Sequence, residues 1–207
     1  MSSNEYLTRV NLMDAANPST DTPINLGKKV LVVGGGNTAM DSCRTAKRLG
    51  ADVTLVYRRS EAEMPARIEE VKHAKEEGIK FLTLHNPKEY LTDENGAVKA
   101  TVLDVMQLGE PDQSGRRRPE TTGKTITIEC DQVIVAVGVS PNPLVPKSIE
   151  GLTLGRKNTI AVNDQMQSSR KEIYAGGDIV RGGATVILAM GDGRRAAMNM
   201  TKQLTEV

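Results

Sequence analysis

The sequence predicts an α/β protein with a parallel β-sheet, an antiparallel β excursion and a separate C-terminal segment. Apolar β-branched runs alternate with helical patterns up to about residue 84, an order that is typical of a parallel sheet with right-handed crossovers. From Pro87 to Gly138 the pattern changes to strands joined by turns, and Asn95-Gly96 between two such runs is a strong hairpin signal. After about residue 140, one more strand and one final helix follow.

The parallel part begins after a short helical piece and an extended linker, which together occupy residues 1–26. Gly50 and Gly78 are predicted to end the two helices, because glycine tolerates the left-handed conformation that follows a helix. Pro65 is acceptable in the first turn of the second helix. In chain order, the predicted elements are a strand Lys29–Val33, a helix Asn37–Leu49, a strand Asp52–Tyr57, a helix Pro65–Glu77 and a strand Lys80–Leu84.

The second half of the chain is predicted to rejoin the parallel sheet before it enters the C-terminal segment. The apolar run Gln132–Val137 has the composition of a buried parallel strand, and Gly138 closes it. The C-terminal segment holds a strand that ends in the letters YAGGD and a helix that starts near Ala184. We therefore expect three parts, residues 1–26, 27–139 and 140–207.

Composition excludes several classes of function. The 207 residues contain 27 Lys and Arg against 26 Asp and Glu, a formal net charge of +1, so no global field recruits nucleic acid or an anionic membrane. Neither a bilayer-spanning apolar run nor a secretion signal is present, which predicts a cytoplasmic protein. Cys43 and Cys130 have no paired spacing, which disfavours a disulfide framework or a metal site.

The stretch VVGGGNTAMD, residues 32–41, joins the first strand to the first helix. Gly34, Gly36 and Ala39 match G-x-G-x-x-A, the dinucleotide-binding pattern of a Rossmann-like sheet. The backbone N–H groups of Gly36, Asn37 and Thr38 are then expected to point at a pyrophosphate along the helix dipole. The motif alone is weak, and a plain strand-to-helix turn is the alternative.

The end of the second strand indicates which nucleotide binds. An NAD site usually has an acidic residue there, whereas this chain has Arg58 and Arg59. Two guanidinium groups suit the 2′-phosphate of NADPH, which they hold by charge-assisted hydrogen bonds. The sequence therefore favours NADPH over NADH, with a solvated basic turn as the alternative.

A third signal lies in the stretch EIYAGGDIVRGGATVILAMGDGRRAA. Asp178 follows two glycines, and a carboxylate there suits a ribityl or ribose hydroxyl. The helix start near Ala184 suits the electron-rich edge of a reduced flavin, because helix N-termini favour negative charge. A strand-to-loop turn and an ordinary capped helix are the alternatives.

Five motifs together resemble the small (beta) subunit of NADPH-dependent glutamate synthase and related two-dinucleotide-binding flavoproteins. They are GGGNTAMD, VYRRSEAEMPAR, SGRRRP, VIVAVGVSPNP and YAGGDIVRGGATVILAMGDGRRAA. The resemblance implies that an NADPH-binding domain is followed by the C-terminal part of an FAD-binding domain. It also implies that residues 1–26 are a linker and the tail of the first half of the FAD-binding domain. Hydride would pass from NADPH to FAD, and electrons on to iron–sulfur clusters. The cofactor-binding residues that it implies are Gly34, Gly36, Asn37, Thr38, Ala39, Arg58 and Arg59 for NADPH, and Asp178, Ala184, Thr185 and Val186 for FAD. Gly138 and Gly177 are further predicted cofactor-binding residues.

A complete member of this group begins with a cysteine-rich iron–sulfur domain and an FAD glycine fingerprint, and neither is found in these residues. We therefore expect a fragment that is inactive by itself, with pairing between two copies as one consequence. The resemblance implies a large glutamate synthase subunit or an equivalent acceptor subunit as partner. The electron-input subunit of a dihydropyrimidine dehydrogenase, a sulfide dehydrogenase or a transhydrogenase is one alternative, and a non-catalytic dinucleotide sensor is another.

Overall fold

The computed structural model describes residues 1–113 and 115–205, so Ser114 of the SGRRRP motif lies outside the described residues. The chain forms two compact units, Met1–Val137 and Gly138–Val207. The strands of the first unit are β1 (Lys29–Val33), β2 (Asp52–Tyr57), β3 (Lys80–Thr83), β4 (His85–Thr92), β5 (Val98–Pro111), β6 (Arg117–Glu129) and β7 (Gln132–Val135). Its α-helices are α1 (Ser3–Leu7), α2 (Asn37–Arg48) and α3 (Ile68–Glu76).

The parallel sheet predicted from the alternation of strands and helices is confirmed. Its strand order is β3, β2, β1, β7, and each neighbouring pair is parallel. The run that begins at Gln132 returns to this sheet beside β1, with Val30 opposite Gln132 and Val33 opposite Val135. The carboxyl ends of β1, β2 and β7 therefore meet at one edge, where the glycine-rich loop begins; this name is used for residues 34–37, which include the first residue of α2.

The antiparallel excursion is also confirmed. Strands β4, β5 and β6 form a separate sheet in that order, and both neighbouring pairs are antiparallel. The turn between β4 and β5 contains Asn95-Gly96, and Asp93 closes it by accepting the N–H groups of Asn95 and Ala97.

The parallel sheet is covered on both faces, because successive side chains of a strand point to opposite sides. Val30 of β1 lies in a buried cluster with Met40 of α2, whereas Leu31 lies in another cluster with Leu103 of β5. Helices thus cover one face and the antiparallel sheet covers the other. This burial explains why β1 reads as a continuous apolar run rather than an alternating one.

The N-terminal residues belong to the first unit. Ser2 forms a parallel bridge with Val135 of β7, and Tyr6 of α1 is 1% exposed in the cluster on the helical face. A π-helical turn at Thr8–Leu12 follows α1.

Helix α3 begins at Ile68 rather than at Pro65, so its predicted start is wrong. The preceding residues form a short 3₁₀ helix at Glu61–Glu63 and an extended segment. Met64 and Arg67 have extended ψ values of 129° and 142°, and the N–H groups of Ala66 and Arg67 donate to Gly35 and Asn37 beside the start of α2.

The second unit consists of short turns and helices. The prediction of a regular strand that ends at YAGGD is wrong. Within the described residues, Tyr174 forms only an isolated bridge with Gln167. The last helix begins at Val186, two residues after the predicted start near Ala184, whose N–H donates to Asp178 Oδ1 at 3.2 Å. No helix in the described part of the chain is long and apolar enough to cross a membrane. The α-helices of this unit are α4 (Leu144–Ser148), α5 (Asp178–Arg181) and α6 (Val186–Thr205).

Candidate functional site

The glycine-rich loop starts with a glycine that the fold itself requires. Gly34 follows β1 and donates its N–H to the carbonyl of Val56 in β2 at 3.0 Å. Its φ of 144° lies in a region that other residues rarely adopt. A Cβ atom at Gly34 would lie 2.3 Å from the carbonyl oxygen of Ala136, just beyond β7. The turn that leaves β1 therefore passes so close to the end of the neighbouring strand β7 that no side chain fits at Gly34.

Gly36 has a different environment. It is the N-cap of α2, and a Cβ atom there would meet no heavy atom within 4 Å. The next two residues, Asn37 and Thr38, are exposed. The first N–H groups of a helix have no intrahelical acceptor, and those of Asn37 and Thr38 donate to no protein group in the described part of the chain. The open space above Gly36 fits the close approach of an anionic group.

Ala39 is the third residue of α2, in its first turn, and is fully buried. It belongs to the cluster on the helical face of the sheet, together with Val32 of β1. A small residue at this position allows the start of the helix to pack closely against the strand. This packing places the N-terminus of α2 at the carboxyl edge of the sheet.

The two arginines of the predicted 2′-phosphate site follow β2 at the same edge. Arg58 is exposed and Arg59 is half-buried, and neither forms an ion pair within the described residues. The Nε atom of Arg59 is buried without a hydrogen-bond acceptor, and its guanidinium carbon lies 5.9 Å from the centroid of the Tyr57 ring. An unpaired arginine with a buried, unsatisfied donor fits a site for an anionic ligand.

Residues 58–67, called here the arginine loop, fold back onto the glycine-rich loop. The Ala66 N–H donates to the carbonyl of Gly35 at 3.0 Å, and the Arg67 N–H donates to Oδ1 of Asn37 at 2.9 Å. At the other end, a Cβ atom added to Gly35 would lie 2.6 Å from ring carbons of Tyr57, so this ring packs directly against the glycine. The unpaired arginines and the exposed amide groups of α2 therefore belong to one connected surface.

The interior of the arginine loop is held by a capping box. Glu63 Oε2 accepts from the N–H and the hydroxyl of Ser60 at 3.1 and 3.0 Å, and the hydroxyl of Tyr57 donates to the carbonyl of Glu63 at 2.9 Å. Sequence reasoning missed these contacts, although the S-x-x-E spacing at residues 60–63 is a recognisable signal.

In the second unit, the residues implied for FAD lie around the turn that precedes α5. Gly177 is the N-cap of α5, with a φ of 74°, and Asp178 begins that helix. Asp178 Oδ1 accepts from the Ala184 N–H, so this carboxylate spans the turn between α5 and α6. Thr185 precedes α6, and Val186, its first residue, is 75% exposed. Gly138 is the first residue of this unit.

Sequence reasoning also missed the ion pair between a buried carboxylate and a more exposed arginine that holds this turn. Asp192 of α6 is 1% exposed and accepts from the Arg181 guanidinium at 2.6 and 2.7 Å. It also accepts from the Gly177 N–H at 3.1 Å. The hydrogen bonds from Arg181, followed by the one from Gly177, lower the pKa of Asp192 to about 2. A carboxylate in a glycine-rich helix gives no sequence signal that it pairs with a residue in the preceding turn.

The two cysteine thiols lie on opposite faces of the parallel sheet. Cys43 is buried in the cluster on the helical face, and Cys130 is buried in the cluster beneath the antiparallel sheet. Burial raises the pKa of both thiols. Because the sheet separates them, they do not form a dithiol pair.

The chain matches the model of the pyridine nucleotide-disulphide oxidoreductase family over residues 3–193. It is 40% identical over 208 residues to the NADPH-Fe(3+) oxidoreductase subunit beta of Geobacter sulfurreducens, which covers 89% of this chain and 31% of that protein. It is 42% identical over 177 residues to the glutamate synthase [NADPH] small chain of Escherichia coli, which covers 83% of this chain and 38% of that protein. The chain thus spans less than half the length of both relatives.

A solved structure shows the same fold. Mycobacterium tuberculosis FprA in complex with NADPH superposes with a TM-score of 0.75 and 18% sequence identity, over 100% of this chain and 58% of that one. The family match covers nearly all of the two units described above, including both glycine-rich turns. The chain therefore belongs to the pyridine nucleotide-disulphide oxidoreductase family.

Proposed function

We propose that this chain is the NADPH-binding part of a flavin-dependent oxidoreductase. One observation carries the proposal: the exposed amide groups at the start of α2 and the unpaired arginines after β2 lie on one surface, joined by the arginine loop. The amide groups fit a pyrophosphate, and the arginines fit a further phosphate on the same ligand. NADPH carries both groups, whereas NADH lacks the second.

The residues of this surface have separate roles in the proposal. The N–H groups of Gly36, Asn37 and Thr38 bind the pyrophosphate, and the absence of a side chain at Gly36 leaves room for it. Arg58 and Arg59 bind the 2′-phosphate, and the unsatisfied Nε of Arg59 gains an acceptor there. Charge-assisted hydrogen bonds of this kind contribute roughly 1.5 to 3 kcal/mol each.

The second unit contributes to the flavin site in the proposal. Asp178 and the start of α6 provide a carboxylate and a helix N-terminus in one turn, and the ion pair of Asp192 with Arg181 keeps that turn in shape. When both cofactors are bound in the whole protein, NADPH supplies a hydride and FAD accepts it. The role of this chain is to bind and orient the two cofactors at their phosphate, ribose and ribityl groups.

The whole protein's activity is a further part of the proposal. Relatives named as subunits include a glutamate synthase small chain and an Fe(3+) oxidoreductase subunit, which supports a partner subunit that accepts the electrons. We favour glutamate synthesis, through iron–sulfur clusters and a large subunit in the cytoplasm, because the five motifs occur in the order of that small subunit. An electron-input subunit of another dehydrogenase is the alternative.

The proposal is tested by comparing NADPH and NADH binding to the double variant Arg58→Ala/Arg59→Ala. The matched control is Arg116→Ala/Arg118→Ala, which removes the same charge from two exposed arginines near the tip of the β5–β6 hairpin. Calorimetry is expected to show NADPH binding weakened about tenfold or more, with NADH binding nearly unchanged and the control like the wild type. Equal weakening of both nucleotides would refute the 2′-phosphate assignment.

A further inference from the structure

We propose that Asn37 is a positioning residue whose side chain sets the preference for NADPH over NADH. Its Oδ1 atom accepts the Arg67 N–H at 2.9 Å and so fastens the end of the arginine loop to the glycine-rich loop. The inference rests on the proposed function, because it concerns the 2′-phosphate site that the arginine loop is proposed to form. The backbone of Asn37 is proposed to bind the pyrophosphate, and the present inference gives its side chain a second role.

The arginine loop is a closed surface loop whose two ends meet the glycine-rich loop. Its first end follows Tyr57, whose ring packs against Gly35. Its second end is held by hydrogen bonds from Ala66 to Gly35 and from Arg67 to Asn37. Compact loops of this length with adjacent ends behave as units on the protein surface. The Arg59 carbonyl also accepts the Leu84 N–H at 3.0 Å, so the position of the two arginines relative to the start of α2 depends on this bond together with the two attachments.

Asn37 is the attachment that a substitution can remove without disturbing the core. The hydrogen bond from Ala66 joins two backbone groups, and Tyr57 is buried. Asn37 is exposed, and in the described part of the chain it provides the only side-chain hydrogen bond between α2 and the arginine loop. Its removal is expected to loosen the loop while the fold remains intact.

A looser arginine loop affects the two nucleotides differently. NADPH must engage the amide groups of α2 and the arginines at the same time, so its affinity falls with the fraction of molecules in which both are correctly placed. NADH has no 2′-phosphate and gains little from the arginines. The Asn37 side chain should therefore change the ratio of the two affinities rather than the affinity for dinucleotides in general.

The test measures dissociation constants of NADPH and NADH for Asn37→Ala, with Thr45→Ala as control. Thr45 lies on the same helix, and among the described residues its side chain makes no hydrogen bond to the arginine loop. Asn37→Ala is expected to weaken NADPH about three- to tenfold and to change NADH less than about twofold. Thr45→Ala is expected to leave both constants at the wild-type values, and circular dichroism confirms that each variant is folded.

Asn37→Asp provides the conservative variant, because it keeps an oxygen that accepts the Arg67 N–H. Its negative charge repels both nucleotides, and NADPH somewhat more because of its additional phosphate, so both affinities fall and their ratio falls less than in Asn37→Ala. The positioning role is overturned if Asn37→Ala leaves the ratio of the NADPH and NADH affinities unchanged. It is also overturned if Asn37→Asp lowers this ratio as much as Asn37→Ala does. If the wild-type chain itself shows no preference for NADPH, the proposed function fails instead.

Discussion

A Cβ atom on Gly34 would lie 2.3 Å from the carbonyl oxygen of Ala136, whereas one on Gly36 would meet no heavy atom within 4 Å. These two glycines of one loop are therefore needed for different reasons. Gly34 is required by the close approach of neighbouring strands and by its φ of 144°. Gly36 has a φ of −93° and a ψ of 176°, which any residue adopts, so the protein alone does not require glycine there.

The variant Gly36→Val is expected to fold and to lose binding of both nucleotides. A branched side chain fills the space that the pyrophosphate needs, and we expect both affinities to fall by at least about tenfold. Valine is a poorer N-cap than glycine, so the free energy of unfolding should fall by no more than roughly 0.5 to 2 kcal/mol. Calorimetry with NADPH and NADH measures the first effect, and urea unfolding measures the second.

Gly34→Ala is the contrasting control, because its defect should appear in the fold. The backbone conformation alone costs roughly 1 to 3 kcal/mol, and the overlap with Ala136 adds to this cost. Wild-type affinity in a folded Gly36→Val chain would exclude the glycine-rich loop as the phosphate site.

Asp192→Asn is expected to change how the stability of the second unit depends on pH. The pKa of Asp192 is lowered from 3.8 to about 2 by Arg181 and Gly177. A carboxylate with a lowered pKa stabilises the folded state above its unfolded pKa, and this contribution is lost as the pH falls from about 4 to about 2. The variant should be less stable than the wild type at neutral pH, and the difference between them should shrink below about pH 4.

Urea unfolding followed by circular dichroism at a series of pH values measures this difference. Asp178→Asn is a useful companion variant, because it changes the neighbouring carboxylate without breaking the pair of Asp192 with Arg181. A difference between Asp192→Asn and the wild type that is constant from neutral pH to about pH 2 would contradict the role of the ionised carboxylate.

The polypeptide of these 207 residues is expected to be colourless when purified. The pattern G-x-G-x-x-A occurs at residues 34–39 and again at residues 191–196, but the second match lies inside α6. The loop at residues 34–39 is proposed to bind NADPH. Asp178 and the start of α6 offer contacts at the flavin end alone. Hydrogen bonds of roughly 0.5 to 1.5 kcal/mol each do not offset an association cost of roughly 4 to 15 kcal/mol.

An absorption spectrum after purification, and another after FAD has been added and the excess removed, measure this prediction. No flavin bands are expected in either. The apolar residues Val186, Ile187 and Met190 of α6 are 75%, 80% and 69% exposed, which leaves this helix with an uncovered apolar surface. One FAD per chain in the first spectrum would contradict the prediction that these residues do not retain flavin.

Local sequence patterns determined the architecture of the first unit. The apolar run of β1, the loop from Gly34 to Gly36 and the Asn95-Gly96 turn each depend on residues close together in the chain, so the parallel sheet and the antiparallel excursion could be predicted. The family resemblance had the same origin, because its motifs are short and continuous. The assignment of individual residues to NADPH and FAD remains a prediction.

Only the tertiary structure decided how these local pieces are joined. The bond from Arg67 to Asn37 ties the residue before α3 to the start of α2, and the pair of Asp192 with Arg181 holds the turn before α6. Such bonds connect residues on separate elements, and whether they form depends on how the whole chain places those elements. An asparagine or an aspartate in the sequence does not reveal its partner, because its side chain has many possible partners until folding brings one of them within about 3 Å.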